Sequence, residues 1–340
     1  MTPLRQTLSG REFIVAGGAG YIGSHVCKTI AAHGGTPITF DNLSAGHEHA
    51  VKWGPLVNVD LRDREATLVA MKSYGQAKTV IHLASSTEVG FGENQPAEFY
   101  DNNVSAALNL LMAMKETDVD KLIFSSTCAT YGEKQNMPLV ESEPQLPVSV
   151  YGKTKLAIEH MIQSFHKAYG LNYITLRYFN ASGADASGLI GEEHNPETHL
   201  IPIALQAAAG LRPNIKIFGT NYETPDGTCL RDYVHVNDIA LAHIRAESAF
   251  DDGLSNAEVN IGTGLAVSNL QILQMIEKAT GKPVPYEAAP RRAGDVTKIY
   301  ADGTRAKEVL GFEPQHSDIE NIIETAWHFY ARKWGINDVG

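Results

Sequence analysis

Tyr151 and Lys155 stand four residues apart in Tyr151-Gly152-Lys153-Thr154-Lys155, the spacing that puts a phenol and an ammonium on one face of a helix. An unperturbed Tyr, with a pKa of about 10, is a poor base at neutral pH, but a neighbouring cation favours its phenolate. Bringing that value near neutrality takes about 4 kcal/mol, more than one lysine readily provides. Alone, the pair reads equally as a solvated helix face, and Lys153, two positions from Tyr151, points elsewhere. A nearby hydroxyl gives Tyr151 weight. The run Lys121 to Ser125 reads as a strand ending in Ser125-Ser126-Thr127, and open parallel sheets hold their ligands at strand ends. The Thr127 hydroxyl can bond a substrate hydroxyl and relay its proton to Tyr151; Ser125 and Ser126 read as turn chemistry.

A second pattern binds anions. The strand Phe13 to Ala16 runs into Gly17-Gly18-Ala19-Gly20-Tyr21-Ile22-Gly23, which opens a helix. Glycines at 17, 20 and 23 permit a tight turn, close approach of a pyrophosphate and packing of helix on strand. Amides at the helix start, those of Tyr21 and Ile22 included, then face the anion. Asp41 ends the next strand, where a carboxylate accepts bonds from adenosine ribose hydroxyls and repels a 2′-phosphate. This selects NAD over NADP, and its cationic nicotinamide joins Lys155 in favouring a phenolate. Asp60-Leu61 ends the third strand, where the carboxylate serves either the adenine amine or a helix cap.

These residues need an α/β scaffold. Strands are expected at Glu12 to Ala16, Pro37 to Phe40, Leu56 to Val59, Thr79 to Leu83, Lys121 to Ser125 and Tyr173 to Arg177. Helices are expected between them at Gly23 to Ala32, Arg64 to Lys72, Ala97 to Lys115 and Lys153 to Tyr169. That alternation implies a Rossmann-type doubly wound parallel sheet. Beyond Asn180, Gly, Asp, Asn and Pro clusters at Gly183 to Pro196 and Gly219 to Gly227 read as long loops of a smaller C-terminal substrate-binding lobe. The division expected is residues 1–180 for the cofactor and 181–340 mainly for substrate, with about 235–265 returning to the first half and Ala257 to Ile261 as a further strand.

Composition narrows the function classes. The 340 residues carry 28 Lys+Arg against 39 Asp+Glu, a formal charge of −11, which argues against nucleic-acid or anionic-membrane surfaces. No long apolar run and no apolar leader core are read, so a cytoplasmic protein is expected. Cys27, Cys128 and Cys229 lie far apart, as buried thiols rather than disulfide or zinc partners. No metal is expected, since His47 and His49 have no partner nearby in sequence.

Taken in order, Gly17-x-x-Gly20-x-x-Gly23, Ser125-Ser126-Thr127 and Tyr151-x-x-x-Lys155 resemble the extended short-chain dehydrogenase/reductase family. Asp41 to His47, Leu176 to Asn180, Asp226 to His235 and Arg291 to Asp302 resemble its UDP-glucose 4-epimerase members, and the likeness spans roughly residues 12 to 335. The resemblance implies that Tyr151 is the base, that Lys155 tunes it and holds the nicotinamide ribose, and that Thr127 assists. It adds Asn42, Leu83 and Tyr178 to the cofactor site. It places Asn180, His199, Leu200, Phe218, Arg231, Tyr233, Arg292, Asp295 and Ile299 on the UDP-sugar. Guanidinium forks at Arg231 and Arg292 suit a diphosphate, although ion pairs with Asp232 and Asp295 would quench them.

The activity implied is UDP-sugar 4-epimerisation, UDP-glucose with UDP-galactose, through a 4-keto sugar and transient reduction of bound NAD. Cys128-Ala129 stand where dehydrating and decarboxylating relatives carry an acidic residue, which disfavours those reactions. Residues 82–87 lack the Gly-Leu-Lys of many epimerases, and Ile299 occupies the position linked to sugar size, so N-acetylhexosamine or pentose substrates remain as alternatives. A non-catalytic nucleotide-sugar sensor is the alternative of another class. Family likeness also implies a homodimer through the helices Ala97 to Lys115 and Lys153 to Tyr169, whose apolar stripes could equally face the sheet.

Overall fold

The computed structural model describes residues 8–292 and 295–336. The aliphatic runs of the first half form β1 (Glu12–Ala16), β2 (Thr36–Asp41), β3 (Leu56–Asn58), β4 (Thr79–His82), β5 (Lys121–Thr127) and β6 (Asn172–Tyr178). Short strands follow: β7 (Asn180–Ser182), β8 (Ile215–Phe218), β9 (Leu230–Arg231) and β10 (Tyr233–His235). The last are β11 (Asn256–Ile261), β12 (Val267–Ser268), β13 (Tyr286–Ala289) and β14 (Lys298–Ile299).

The helices of the first half are α1 (Tyr21–Ala32), α2 (Arg64–Ser73), α3 (Val89–Asn94), α4 (Pro96–Tyr100), α5 (Ala106–Glu116) and α6 (Val150–Tyr169). Those of the second are α7 (Leu200–Ala208), α8 (Val236–Asp251), α9 (Asn269–Thr280), α10 (Thr304–Leu310) and α11 (Ile319–Trp334).

Seven strands make one parallel sheet in the order β11-β6-β5-β4-β1-β2-β3. Its alternating side chains fill two cores, because successive residues of a strand face opposite sides. Phe13, Val15, Ile81 and Val259 share one core with Val26 of α1 and Ile239 of α8. Ile14, Val80, Leu122 and Phe124 share the other with Leu110 of α5 and Ile158 of α6. The strand expected at Ala257 to Ile261 does return to the sheet, beside β6. A third core, built on α7, α9 and α11 with Ile215 and Ile217, belongs to the later residues.

Two helices differ from the sequence reading. Helix α6 starts at Val150 rather than Lys153, because the Ser149 hydroxyl caps it by accepting from Gly152 N at 3.1 Å. Tyr151 therefore sits in the first turn, at the mouth of the sheet. The helix expected over Ala97 to Lys115 is divided by a π turn at Asp101–Ser105. Asn103 lies in that turn, fully buried; it accepts from Ser86 N and donates to Ser86 O and Thr154 Oγ1. A π turn supplies the extra backbone that aims this side chain sideways, as such turns often do beside functional sites.

A buried ion pair fixes α6 to the sheet. Arg177 on β6 donates both Nε and Nη2 to Glu159 on α6, at 3.1 and 2.7 Å, and Nη1 to the Tyr131 hydroxyl at 2.8 Å. Ser126 donates to the same carboxylate. Replacing Arg177 by Met leaves Glu159 charged and unpaired in the core. We expect a loss of about 3–5 kcal/mol, read by urea unfolding; a loss under about 1 kcal/mol would show that the pair does not hold the helix.

Candidate active site

The glycine segment follows β1 and opens α1 beside the crevice between β1 and β4, where strand order reverses and open α/β sheets take their ligands. Gly17 has φ +84°, and a Cβ there would lie 2.6 Å from Ala84 N. A Cβ on Gly23 would lie 2.0 Å from Gly17 O, so neither position accepts a side chain. Gly20 meets only Gly17 O, at 3.4 Å, and caps α1 with no side-chain bond. The first amides of α1, at Tyr21, Ile22 and Gly23, therefore face open space, as a diphosphate requires. Gly23→Ala is expected to weaken dinucleotide binding about 10- to 100-fold, from an overpacking cost of about 1–3 kcal/mol. Titration with NAD measures this, and unchanged affinity would remove the cradle from the site.

Asp41 closes the cradle. One carboxylate oxygen accepts from Ala19 N at 3.0 Å and the other from Leu43 N at 2.9 Å, which orients the group. Asn42 reaches Asp60 at 3.2 Å, and Arg62 grips Asp60 with both Nε and Nη2. The Arg62 bonds hold the Asp60 carboxyl down at about 2. Asp60 is not a helix cap, since Asp63 caps α2 by accepting from Ala66 N at 2.9 Å. Leu61 is buried in the core, and Leu83 leaves β4 with its amide on Ala16 O. This cradle, its paired glycines and its carboxylate fit NAD.

At the end of β5 the Tyr151 hydroxyl stands beside the Thr127 side chain, and its ring meets Phe99 edge-on. The Thr127 oxygen already accepts from Ala129 N at 3.1 Å, which leaves its proton to donate toward Tyr151. Lys155 is wholly buried; its Nζ donates to Ser125 O at 2.9 Å and lies 5.8 Å from the Tyr151 ring centre. Lys155 by itself does not lower this phenol, and the sequence expectation assigns the rest to the cationic nicotinamide. Burial pushes Tyr151 upward and the Thr127 bond pulls it back. Burial lowers Lys155 to about 7, and the Glu159 carboxylate opposes that fall. Tyr178, beside Thr127 in the β5–β6 register, turns its hydroxyl to His243 Nε2 at 2.5 Å.

The second half contributes short strands. Asn180 on β7 pairs with Tyr233 on β10, and Arg231 on β9 pairs with Ile299 on β14. Arg231 is not quenched by Asp232, contrary to one sequence alternative. That carboxylate turns inward, accepting from Thr263 N, Gly264 N and Ala301 N, and burial raises it. Asp295 makes a long ion pair with Arg231 at 3.9 Å, so the second pairing expected from sequence is present though beyond hydrogen-bond reach. The Arg292 guanidinium lies 3.8 Å from the Phe218 ring centre. Arg231 also pulls down the Cys128 thiol, which burial has pushed up to about 12, so this arginine stands near the Thr127 turn. Cys128 is a packed thiol in that setting rather than a nucleophile.

Leu200 opens α7 and packs on the third core. His199, just before it, is turned by Glu192 and Glu197, at 2.9 and 3.0 Å from Nδ1. Among the residues that sequence reading missed, Asn103 and Glu159 steady the Tyr151 helix from two sides; both are polar residues inside apolar stripes, which was the available signal. The histidines at 47 and 49, without a partner nearby in sequence, meet Glu193 from the distant loop, 3.1 Å from His49 Nε2.

A doubly wound sheet with a glycine cradle at its switch point and a Thr–Tyr–Lys group at the next strand end defines a dinucleotide-binding enzyme of the short-chain dehydrogenase/reductase class. Residues 13–262 match the NAD dependent epimerase/dehydratase family, and the chain belongs to it. It is 45% identical to the UDP-glucose 4-epimerase of Rhizobium meliloti over 326 residues, which cover 96% of this chain and 99% of that one. The crystal structure of UDP-glucose 4-epimerase from Brucella ovis in complex with NAD matches with a TM-score of 0.91 and 47% identity, over 94% of this chain and 98% of that one. The Bifidobacterium longum UDP-glucose 4-epimerase in complex with NAD+ and UDP matches at 0.89 and 32%, over 96% of this chain and 99% of that one.

Proposed function

We propose that this protein is an NAD-dependent UDP-sugar 4-epimerase that interconverts UDP-glucose and UDP-galactose. The observation that carries the reading is Tyr151 beside Thr127 at the end of β5, one helical turn from buried Lys155, with Arg231 on the neighbouring short strand turned from Asp232. Tyr151 takes the proton of the sugar C4 hydroxyl, directly or through Thr127, and returns it to the same oxygen after the 4-keto sugar has turned its other face to the hydride. Bound NAD supplies reversible hydride transfer at C4. Gly17, Gly20 and Gly23 cradle its diphosphate, Asp41 takes the adenosine ribose, and Lys155 takes the nicotinamide ribose. Arg231 and Arg292 grip the UDP diphosphate while Phe218, Asn180, Tyr233 and Asp295 frame the nucleotide. A firm hold there leaves the 4-keto sugar free to turn about its linkage.

Residues 1–180 with α8 and β11 form the cofactor half of this reading, and the remaining later residues form the substrate half. We also assign a cytoplasmic homodimer: Tyr100 and Leu108 expose large apolar surface at 39% and 41% on the segment expected to pair, which supports a partner there. Among the described residues no helix is long and apolar enough to cross a membrane. Light scattering tests the dimer. Incubation with UDP-galactose tests the activity, with UDP-glucose as the expected product; no product would refute it. Rates on UDP-N-acetylhexosamines and UDP-pentoses in the same panel decide the sugar, since Ile299 places no hydroxyl beside Arg231.

A further inference from the structure

The loop between β7 and α7 holds a cluster of which the UDP-sugar reading uses His199 alone. Glu192, His194, Glu197 and His199 follow one another within eight residues and turn their donor atoms inward, all within 4.8 Å of one another. His194 Nδ1 lies 3.4 Å from Glu192 Oε1 and 3.5 Å from Glu197 Oε2, while His199 Nδ1 lies 2.9 Å from Glu192 Oε1 and 3.0 Å from Glu197 Oε1. Four donors set about 2.0–2.1 Å from one ion at tetrahedral angles stand about 3.3 Å apart. The four nitrogen–oxygen separations lie on either side of that edge.

Simple ion pairing leaves the group incomplete. Charge-assisted bonds from nitrogen to carboxylate run about 2.7–2.9 Å, and His194 Nδ1 exceeds this to both carboxylates. That atom is buried and has no hydrogen-bond partner. His199 Nδ1 faces two carboxylate oxygens, and one N–H cannot point along both lines. The Glu192 side chain is only 7% exposed, so its charge needs strong compensation. Two carboxylates with two neutral imidazoles carry −2, which one divalent ion cancels. The supporting bonds of a built site are present as well. Glu197 Oε1 accepts from Thr198 N and His199 N, and the Tyr330 hydroxyl donates to Glu192 O. Such outer bonds orient metal ligands.

We propose that Glu192, His194, Glu197 and His199 bind one divalent transition-metal ion of the zinc class, which ties down the loop between the cofactor helix and the substrate lobe. Mixed imidazole and carboxylate donors favour this class over magnesium or calcium, which take oxygen shells. The loop is already stitched to α1, where Tyr21 donates to Gly183 O and Lys28 pairs with Asp185. A closed metal site would lock the same loop to the start of α7. The inference goes beyond the epimerase reading and is tested without substrate.

Full-length protein is stripped with a chelator, then titrated with Zn²⁺ and separately with Co²⁺. The expected result is one equivalent bound, a tetrahedral visible spectrum with Co²⁺, and a raised melting temperature. His194→Ala and Glu192→Gln should each weaken uptake about 100-fold, with folding checked by circular dichroism. His49→Ala should leave one equivalent bound. No uptake by the wild type overturns the proposal, whatever the variants do. Uptake unchanged in His194→Ala, or abolished in His49→Ala, overturns it by placing the ion elsewhere.

Discussion

Tyr151→Phe lowers kcat about 10³-fold and leaves NAD binding and folding intact. The ring keeps its edge-on contact with Phe99, and the Ser149 cap on α6 does not involve the phenol oxygen. What is lost is the oxygen that faces Thr127. A positioned general base contributes about 10²–10⁴ in rate, so the expected loss sits mid-range. Burial holds this phenol high and Lys155 near 7, and a cationic nicotinamide beside them would favour the phenolate. The measurements are turnover of UDP-galactose and the dinucleotide released on denaturation. Turnover within tenfold of the wild type would remove Tyr151 from the reaction, and lost dinucleotide would make it a binding residue instead.

Acidification from pH 6.5 to pH 5.5 destabilises the fold by about 4 kcal/mol through four buried histidines. Burial lowers His25, His235 and His243 to about 4, and burial with the nearby Lys155 charge lowers His82 to about 3. In the unfolded chain each takes a proton near 6.5, so the unfolded state binds more protons throughout this window and stability falls with pH. Each group then contributes about 1 kcal/mol between the two pH values. The carboxyls of Glu141, Asp232 and Glu247, raised by burial, take protons first in the folded state and offset part of the loss. Urea unfolding at both pH values reads the difference. Equal stability within about 1 kcal/mol would mean that these imidazoles are not held neutral inside.

Local pattern and distant contact contributed differently to the site. The glycines at 17, 20 and 23 were readable because a strand–turn–helix needs them within a few residues, and the structure puts each against backbone or open space as that geometry demands. The Tyr151 and Lys155 spacing was readable for the same reason. The start of α6 was misjudged because Ser149 acts through one hydroxyl bond outside the periodic stretch. The π turn escaped notice because Ala97 to Lys115 carries an unbroken helical pattern, and one extra backbone residue is set by the bonds of Asn103 to Ser86 and Thr154.

By itself the sequence determined the alternating α/β order, the phosphate cradle, the carboxylate at the end of β2 and the Thr–Tyr–Lys group, because each is encoded in spacing along one element. Tertiary structure alone decided which charges are free. Asp232 turns inward and leaves Arg231 to Asp295, Glu159 is claimed by Arg177, Glu193 meets His49, and two glutamates converge on two histidines. Which partner a charged side chain takes depends on what packing brings within a few ångströms and shields from water, and chain distance does not specify that.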